Sequence, residues 1–168
     1  MMTKENQLQI AESLKAHFGD DILSTETPFD FLTITVKKEK IKDVVQFLYN
    51  DESLQFRFLT DICAVHFPDA SEKFQVVYHL HNLVNNYRLR LKVNMNGEHP
   101  ELETLTTIFP GANWMERETF DFYGIHFKGH PNLKRILNVD DMLIHPLRKE
   151  FPLEDQVRLD KNDAQFGR

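Results

Sequence analysis

Alternation of apolar and polar residues predicts a β-hairpin in the middle of the chain. Apolar side chains occupy every second position of residues 74–80 and again of residues 89–95. If Leu80 lies opposite Leu89, these apolar side chains fall on one face of the paired strands. A slip of one residue would turn the apolar row of one strand to the wrong face, so the pattern determines the register. The sequence therefore predicts a hairpin with one face in the core.

The opposite face of this hairpin is predicted to be basic. The same register places three pairs there: His81 opposite Arg88, His79 opposite Arg90, and Val77 opposite Lys92. Such a strip could contact phosphates, an acidic protein partner or only solvent. The whole chain has 20 basic and 26 acidic residues, a net charge of −6. This balance argues against nucleic acid as the main partner.

The remaining periodicity predicts helices and strands around the hairpin. Apolar residues three and four apart are typical of amphipathic helices, and runs of β-formers are typical of strands. The predicted helices are residues 8–18, 41–49 and two pieces within 102–122, and the predicted strands are 29–36 and 56–67. Beyond Leu137 the periodicity ends, and Pro146 and Pro152 indicate an extended segment. We therefore predict a domain of residues 1–137 and a C-terminal arm of residues 138–168.

The composition is that of a single folded domain. The chain has 168 residues, of which 41% are hydrophobic and 27% are charged. Its one cysteine, Cys63, excludes an internal disulfide and a cysteine-based zinc or iron–sulfur site. Cys63 lies in a predicted apolar strand, where a thiol is expected to act as a small hydrophobe. We find no signal peptide and no apolar run long enough for a membrane span, so membrane association is expected only through a partner.

One predicted helix mixes charges with aromatic side chains. Residues 116–123 contain four charged and three aromatic residues, and Gly124 follows them. Because the two kinds are interleaved, burying either face must bury some charge. A buried charge needs a partner, either in its own chain or across an interface.

The sequence shows no convincing reaction centre. Two histidine pairs have ligand-like spacing, but one lies among arginines and the other is interrupted by glycine and proline: His79 with His81, and His126 with His130. Glu118 and Asp121 share one side of the predicted helix and could tune each other's pKa, although ion pairs are the commoner use of such carboxylates. The chain contains no GxSxG, P-loop or GxGxxG motif. The residues alone favour an interaction protein, with a carboxylate-dependent hydrolase using Glu118 and Asp121 as the alternative.

Several blocks of the chain resemble the C subunit of the respiratory NADH:quinone oxidoreductase, complex I. The first consists of Glu116-Arg117-Glu118, Asp121-Phe122-Tyr123-Gly124-Ile125, Phe127, Gly129-His130-Pro131 and Leu133-Lys134-Arg135-Ile136-Leu137. The second is His145-Pro146-Leu147-Arg148-Lys149-Glu150-Phe151-Pro152, and a weaker one is Asp61-Ile62-Cys63-Ala64-Val65. The chain departs from the family at residues 142–144, where relatives usually carry a tryptophan-acid-glycine step.

The resemblance implies an α+β fold of two layers, with a mostly antiparallel β-sheet packed against helices and an extended C-terminal arm. It implies a non-catalytic scaffold subunit, peripheral to the inner membrane on the cytoplasmic side. The family's own subunit holds no cofactor, whereas the complex uses NADH, FMN, iron–sulfur clusters and quinone. It docks against the hydrogenase-like D subunit, and its arm contacts other peripheral-arm subunits. The alternative is the equivalent subunit of a membrane-bound hydrogenase or a ferredoxin-fed complex.

The resemblance also gives candidate site residues. The candidates for partner-interface or ion-pair residues are Glu116, Arg117, Glu118, Asp121, Tyr123, His130, Arg135, His145 and Arg148. No catalytic, cofactor-binding or metal-binding residue is expected. We expect that replacing Glu118 or Asp121 by alanine weakens assembly with the D subunit and leaves the isolated domain folded.

Overall fold

The computed structural model describes residues 2–97 and 99–151, in which three α-helices and seven strands form. Their bounds are α1 (Lys4–Phe18), β1 (Ile22–Glu26), β2 (Thr33–Val36), α2 (Ile41–Asn50), β3 (Phe58–His66), β4 (Phe74–Asn82), β5 (Tyr87–Met95), β6 (Glu101–Glu103), α3 (Ala112–Tyr123) and β7 (His126–Lys128). Among these described residues, no helix is long and apolar enough to cross a membrane.

Five of the strands form one mixed sheet. Their order is β1-β2-β5-β4-β3, and every neighbouring pair is antiparallel except β2 with β5. The hairpin register is as predicted, since Leu80 pairs with Leu89 and Phe74 with Met95. A separate two-stranded parallel ladder joins β6 to β7. The mostly antiparallel α+β architecture is confirmed.

A single hydrophobic core lies between the sheet and the helices. Alternate residues of the five strands contribute to it, and α2 adds Ile41, Val44, Val45 and Leu48. Tyr78 and Phe74 are among its largest buried side chains. Because only one face of the sheet is covered by helices in this way, the strands keep the alternation of apolar and polar residues.

Local signals set the ends of the helices. The Thr3 hydroxyl accepts a hydrogen bond from the Asn6 amide at 3.3 Å and caps α1, which ends at Gly19 with φ of +53°. Helix α3 ends at Gly124, whose φ of +70° is left-handed. The first helix therefore begins four residues earlier than predicted, because the Thr3 cap extends it.

Three predictions of secondary structure were wrong. The predicted strand 29–36 begins only at Thr33, because Phe29 and Asp30 have φ of +54° and +61° and form a turn. Strand β1 was missed because its residues are half polar and its ladder contains a register shift. Residues 101–103 form a strand, although residue 102 was placed at the start of a helix, since they pair with residues 126–128, which are distant in sequence.

The burial predicted for Cys63 was also wrong. Its neighbours Ile62 and Ala64 point into the core, so Cys63 lies on the other face of β3 and is exposed. The register shift between Leu59 and Asp61 sets which residues of this strand face inward.

The described part of the predicted arm, residues 138–151, contains no helix or strand and runs against α3 through turns and side-chain contacts. Residues 152–168 of the predicted arm lie outside the described residues. The segment between β7 and Phe151 contains most of the candidate residues that do not belong to α3.

Candidate functional site

The Asp121 carboxylate, in the last turn of α3, is fully buried and accepts hydrogen bonds on both oxygens. Oδ2 accepts from the backbone amides of Ile136, Leu137 and Asn138 at 3.0, 2.9 and 2.9 Å. Oδ1 accepts from the Arg135 guanidinium at 2.7 Å and from the Asn138 side-chain amide at 3.1 Å. Burial by itself would raise the pKa of this carboxyl, but these donors hold the pKa well below its usual range.

Arg135 joins the same carboxylate to the arm. Its Nη1 also donates to the backbone carbonyl of Asp121 at 3.1 Å. Its Nη2 donates to the carbonyls of Met142 and Ile144 at 2.7 and 3.0 Å. One guanidinium therefore fixes the arm at two points against the end of α3.

The arm also caps the C-terminus of α3. The last carbonyls of a helix have no partner within the helix and carry partial negative charge. Here His145 Nδ1 donates to the Asp121 carbonyl at 2.9 Å, the Leu147 amide to Phe122 at 3.1 Å, and Arg148 Nε to Tyr123 at 2.7 Å. Burial lowers the pKa of His145, although this hydrogen bond favours its charged form.

Gly124 makes this close approach possible. A Cβ atom at Gly124 would lie 2.6 Å from the His145 ring and 2.7 Å from Arg148 Nη2. Its left-handed φ is likewise costly for other residues. The glycine that ends the signature helix is therefore required both by the backbone turn and by the arm above it.

Glu116 is a second buried carboxylate on the same helix, but its partners are neutral. Its two oxygens accept from the Thr104 hydroxyl at 2.6 Å and from the Leu105 amide at 2.7 Å. Burial raises the pKa of Glu116 to about 7, although both hydrogen bonds favour the ionised form. Glu116 thus fixes the chain that follows β6 to the middle of α3.

Arg117 and His130 join the segment after β7 to the outer side of α3. Arg117 donates to the carbonyls of Lys134 and Arg135 at 3.1 and 2.9 Å, and its guanidinium stacks on Trp114. His130 contacts the carbonyl of Asn113 at 3.2 Å. The charges of α3 are therefore used mainly to hold residues 130–148.

Glu118 differs from the other candidates because it is exposed. Glu118 and Asp121 do not form a carboxylate pair, since Asp121 is buried and its oxygens are occupied. Glu118, Tyr123 and Leu147 line a shallow groove beside Cys63. Desolvation raises the pKa of the Cys63 thiol and of the Tyr123 hydroxyl.

Sequence reasoning missed several partners of the buried charges. Thr104, Asn138 and the backbone amides of residues 136–138 had no motif to indicate them. Because every non-proline residue carries an amide, composition gives no signal for which amides will meet a carboxylate. The sequence left open whether Asp121 pairs within the chain or across an interface, and the structure places donors for both of its oxygens at the base of the arm.

We expect Asp121→Asn to release the arm from α3. The change keeps the size of the side chain but removes the charge that pairs with Arg135 and faces three amides. Loss of one partner of a buried ion pair typically costs about 3–5 kcal/mol of unfolding free energy. Urea unfolding, together with trypsin cleavage after Lys134 and Arg135, measures the effect. Glu118→Gln is the matched control, and equal trypsin resistance of the two variants would contradict the prediction.

We expect Glu116→Gln to remove a pH dependence of stability. Between the ordinary pKa of 4.5 and the folded pKa of about 7, the folded chain binds more protons at Glu116 than the unfolded chain does. The wild-type free energy of unfolding should therefore fall relative to the variant as the pH rises through this window, by about 3 kcal/mol.

Urea unfolding at pH 5, 6 and 7.5 tests this difference. Burial lowers the pKa of His66 and His145, which opposes the trend equally in both proteins and so cancels. Asp121 contributes only at lower pH, because its stabilisation is lost as the pH falls below the ordinary aspartate pKa. Glu118→Gln should keep the wild-type slope, and a slope unchanged in Glu116→Gln would refute the assignment.

The comparison with known proteins gives a consistent family. The family model described as respiratory-chain NADH dehydrogenase, 30 Kd subunit, matches residues 34–157. The C subunit of NADH-quinone oxidoreductase from Roseiflexus sp. (strain RS-1) is 44% identical over 144 residues, which cover 86% of this chain and 83% of the relative. The corresponding protein of Geobacter sulfurreducens, with the same name, is 40% identical over 158 residues, with coverage of 94% and 95%.

Solved structures agree. A trypsin-resistant fragment of Nqo5 has a TM-score of 0.64 at 30% identity, covering 76% of this chain and 99% of the fragment. A chain of the membrane-bound sulfane sulfur reductase, an archaeal respiratory membrane complex, has a TM-score of 0.74 at 22% identity, with coverage of 87% and 85%, and shares the fold. The resemblance of residues 116–137 is thereby confirmed. The chain belongs to the family of the respiratory-chain NADH dehydrogenase 30 Kd subunit, which is the C subunit of NADH-quinone oxidoreductase.

Proposed function

We propose that this chain is a non-catalytic structural subunit of a proton-translocating NADH:quinone oxidoreductase, peripheral to the inner membrane on its cytoplasmic side. Its arm would dock onto the hydrogenase-like D subunit and further peripheral-arm subunits. In this proposal the chain binds no cofactor, while the complex supplies NADH oxidation, FMN, iron–sulfur clusters and quinone reduction. The electron donor is supported by the relatives' names, each of which is the C subunit of NADH-quinone oxidoreductase.

The observation that carries the proposal is the apolar outer surface of the arm and of the residue before it. Hydrogen bonds to α3 fix this segment, yet five apolar side chains of residues 137–147 are exposed: Leu137, Val139, Leu143, Ile144 and Leu147. Leu143 is 97% exposed. A fixed surface of clustered apolar side chains is typical of a protein–protein interface.

The buried charges support a structural rather than a chemical function. Asp121 and Glu116 both have their oxygens occupied by donors of the same chain. Within the described ranges, no group of three or more His, Cys, Asp or Glu residues is placed to hold a metal ion. A hydrolase using Glu118 and Asp121 would need both carboxylates to be free to reach substrate, and of these two only Glu118 is exposed. Hydrolytic turnover by the purified chain, lost in Glu118→Gln, would favour that alternative.

The electron donor of the complex is a separate question. A chain of the sulfane sulfur reductase complex shares the fold, so the fold by itself does not choose between NADH and another donor. The equivalent subunit of a hydrogenase or ferredoxin-fed complex therefore stays the second candidate. Co-purification of the chain with NADH-oxidising subunits distinguishes the two.

We expect aspartate substitutions in this apolar surface to break the association with the D subunit. The double variant Leu137→Asp, Leu143→Asp places two charges where the interface would exclude water, and recovery in a pull-down should fall about tenfold or more. Leu8→Asp is the matched control, since Leu8 is 60% exposed on α1 and Leu137 is 65% exposed.

Thermal unfolding of the isolated variants checks that the chain remains folded. Equal recovery of the D subunit by the double variant and by Leu8→Asp would overturn the proposed docking surface. The expected pattern is an unchanged melting temperature with loss of the D subunit only in the double variant.

A further inference from the structure

The side of the five-stranded sheet that faces away from the hydrophobic core, here called the outer sheet face, carries a strip of cations. Arg88, Arg90 and Lys92 alternate along β5 and point to this side. Their cross-strand neighbours on β2 are uncharged, with Thr33 beside Arg90 and Thr35 beside Lys92. The strip is local, because the chain as a whole has a net charge of −6.

Arg90 is held in a fixed position on this face. The Asp61 carboxylate contacts His79 Nδ1 at 2.5 Å, and Arg90 Nε donates to His79 Nε2 at 2.8 Å. Because Nε2 accepts this hydrogen bond, Nδ1 carries the proton and donates to Asp61. The guanidinium carbon also lies 4.8 Å from the centre of the Phe31 ring. Among the described residues, the two Nη atoms of Arg90 have no hydrogen-bond partner, so they remain available as a rigid fork for a carboxylate.

A cleft of about 390 Å³ adjoins this end of the strip. It is lined by Met2, Phe29, Asp30, Phe31, Asn86 and Arg88. The cleft combines aromatic side chains with a cation at its rim. It therefore suits an apolar side chain flanked by carboxylates.

The loop that presents Phe29 is fixed in an unfavourable conformation. Phe29 is fully exposed, and both it and Asp30 have positive φ, which is costly for residues other than glycine. The loop is nevertheless tied down, because Gln7 donates to the Asp30 carbonyl at 2.7 Å and the Phe31 amide to Pro28 at 3.0 Å. A solvated aromatic gains nothing from being held in this way, which points to a contact outside the chain.

We propose that the outer sheet face and this cleft dock an acidic segment of a second partner subunit. Its carboxylates would bind Arg88 and Arg90, and an apolar side chain would enter the cleft beside Phe29. The inference rests on the proposed function, since the partner is another subunit of the complex. This surface is separate from the arm, because Arg148 of the arm stacks on Phe74 at the start of β4, whereas Arg88 pairs with His81 near the end of that strand.

The test uses the assembled complex, purified with the chain in place over a series of KCl concentrations. Arg88→Glu reverses a charge whose side chain makes no hydrogen bond or ion pair among the described residues. Phe29→Gly removes the aromatic ring and relieves the left-handed backbone, so the melting temperature of the isolated chain should stay the same or rise. Both variants should be retained about tenfold less than the wild type at low salt, and the difference between Arg88→Glu and the wild type should narrow as KCl screens the charges.

Two matched controls separate docking from general effects of charge and strain. Lys15→Glu reverses an exposed charge on α1. Gln55→Gly relieves another positive φ, of 44°, at a residue that does not line the cleft. Both controls should be retained like the wild type, and retention of Arg88→Glu and Phe29→Gly at control levels would overturn the proposal.

A photoreactive side chain at position 88 identifies the occupant. A cross-link to an acidic segment of another subunit supports the proposal. A cross-link to residues 152–168 of the same chain overturns it, as does Arg88-dependent binding of single-stranded DNA with no change in retention. If the Leu137→Asp, Leu143→Asp variant dissociates while Arg88→Glu stays bound, this inference fails and the proposed function stands. If the wild-type chain does not join the complex at all, both fail.

Discussion

The position of the buried Asp121 carboxylate determines the shape of the C-terminal part of the molecule. It replaces water for three consecutive backbone amides and pairs with Arg135, which also holds two carbonyls further along the arm. A segment without helix or strand would otherwise leave these polar groups to solvent and adopt many conformations. One ionised side chain at the end of a helix therefore gives a defined surface to residues that have no regular structure. The capping of α3 by His145 and Arg148 strengthens the same junction.

The two buried carboxylates of α3 show how strongly the local partners decide the charge state. Asp121 has a cation and several amides, and its pKa is lowered, whereas Glu116 has a hydroxyl and one amide, and its pKa is raised. The cost of burial is similar in kind at both sites, but only the larger set of donors around Asp121, which includes a cation, outweighs it. The mixed charges and aromatics of this helix are thus explained by two different structural tasks. Asp121 orders the arm, and Glu116 fixes the connection from β6.

The described molecule offers two chemically different surfaces at separate places. The arm exposes apolar side chains on a segment fixed by a buried ion pair, while the outer sheet face exposes cations on a segment fixed by the sheet. In both places, polar interactions behind the surface hold the exposed groups still. Asp121 and Arg135 do this for the arm, and Asp61 and His79 do it for Arg90. Such preorganisation lowers the entropy that a partner's binding must overcome. It suits a subunit whose contribution to a complex is to position others.

The sequence by itself determined the β4–β5 register, the helices α1 and α2, the family and the presence of buried charge in α3. These follow from local periodicity or from a long specific motif, and a one-residue slip in the hairpin would have exposed the core side chains of one strand. Only the tertiary structure decided the parallel pairing of β2 with β5, the ladder of β6 with β7, the exposure of Cys63 and the turn at Phe29. It also decided which groups satisfy Asp121, since the amides of residues 136–138 are chemically the same as all other backbone amides. Local patterns reveal which side chains must be buried, but the partners of a buried charge depend on which distant segments the fold brings within hydrogen-bonding distance.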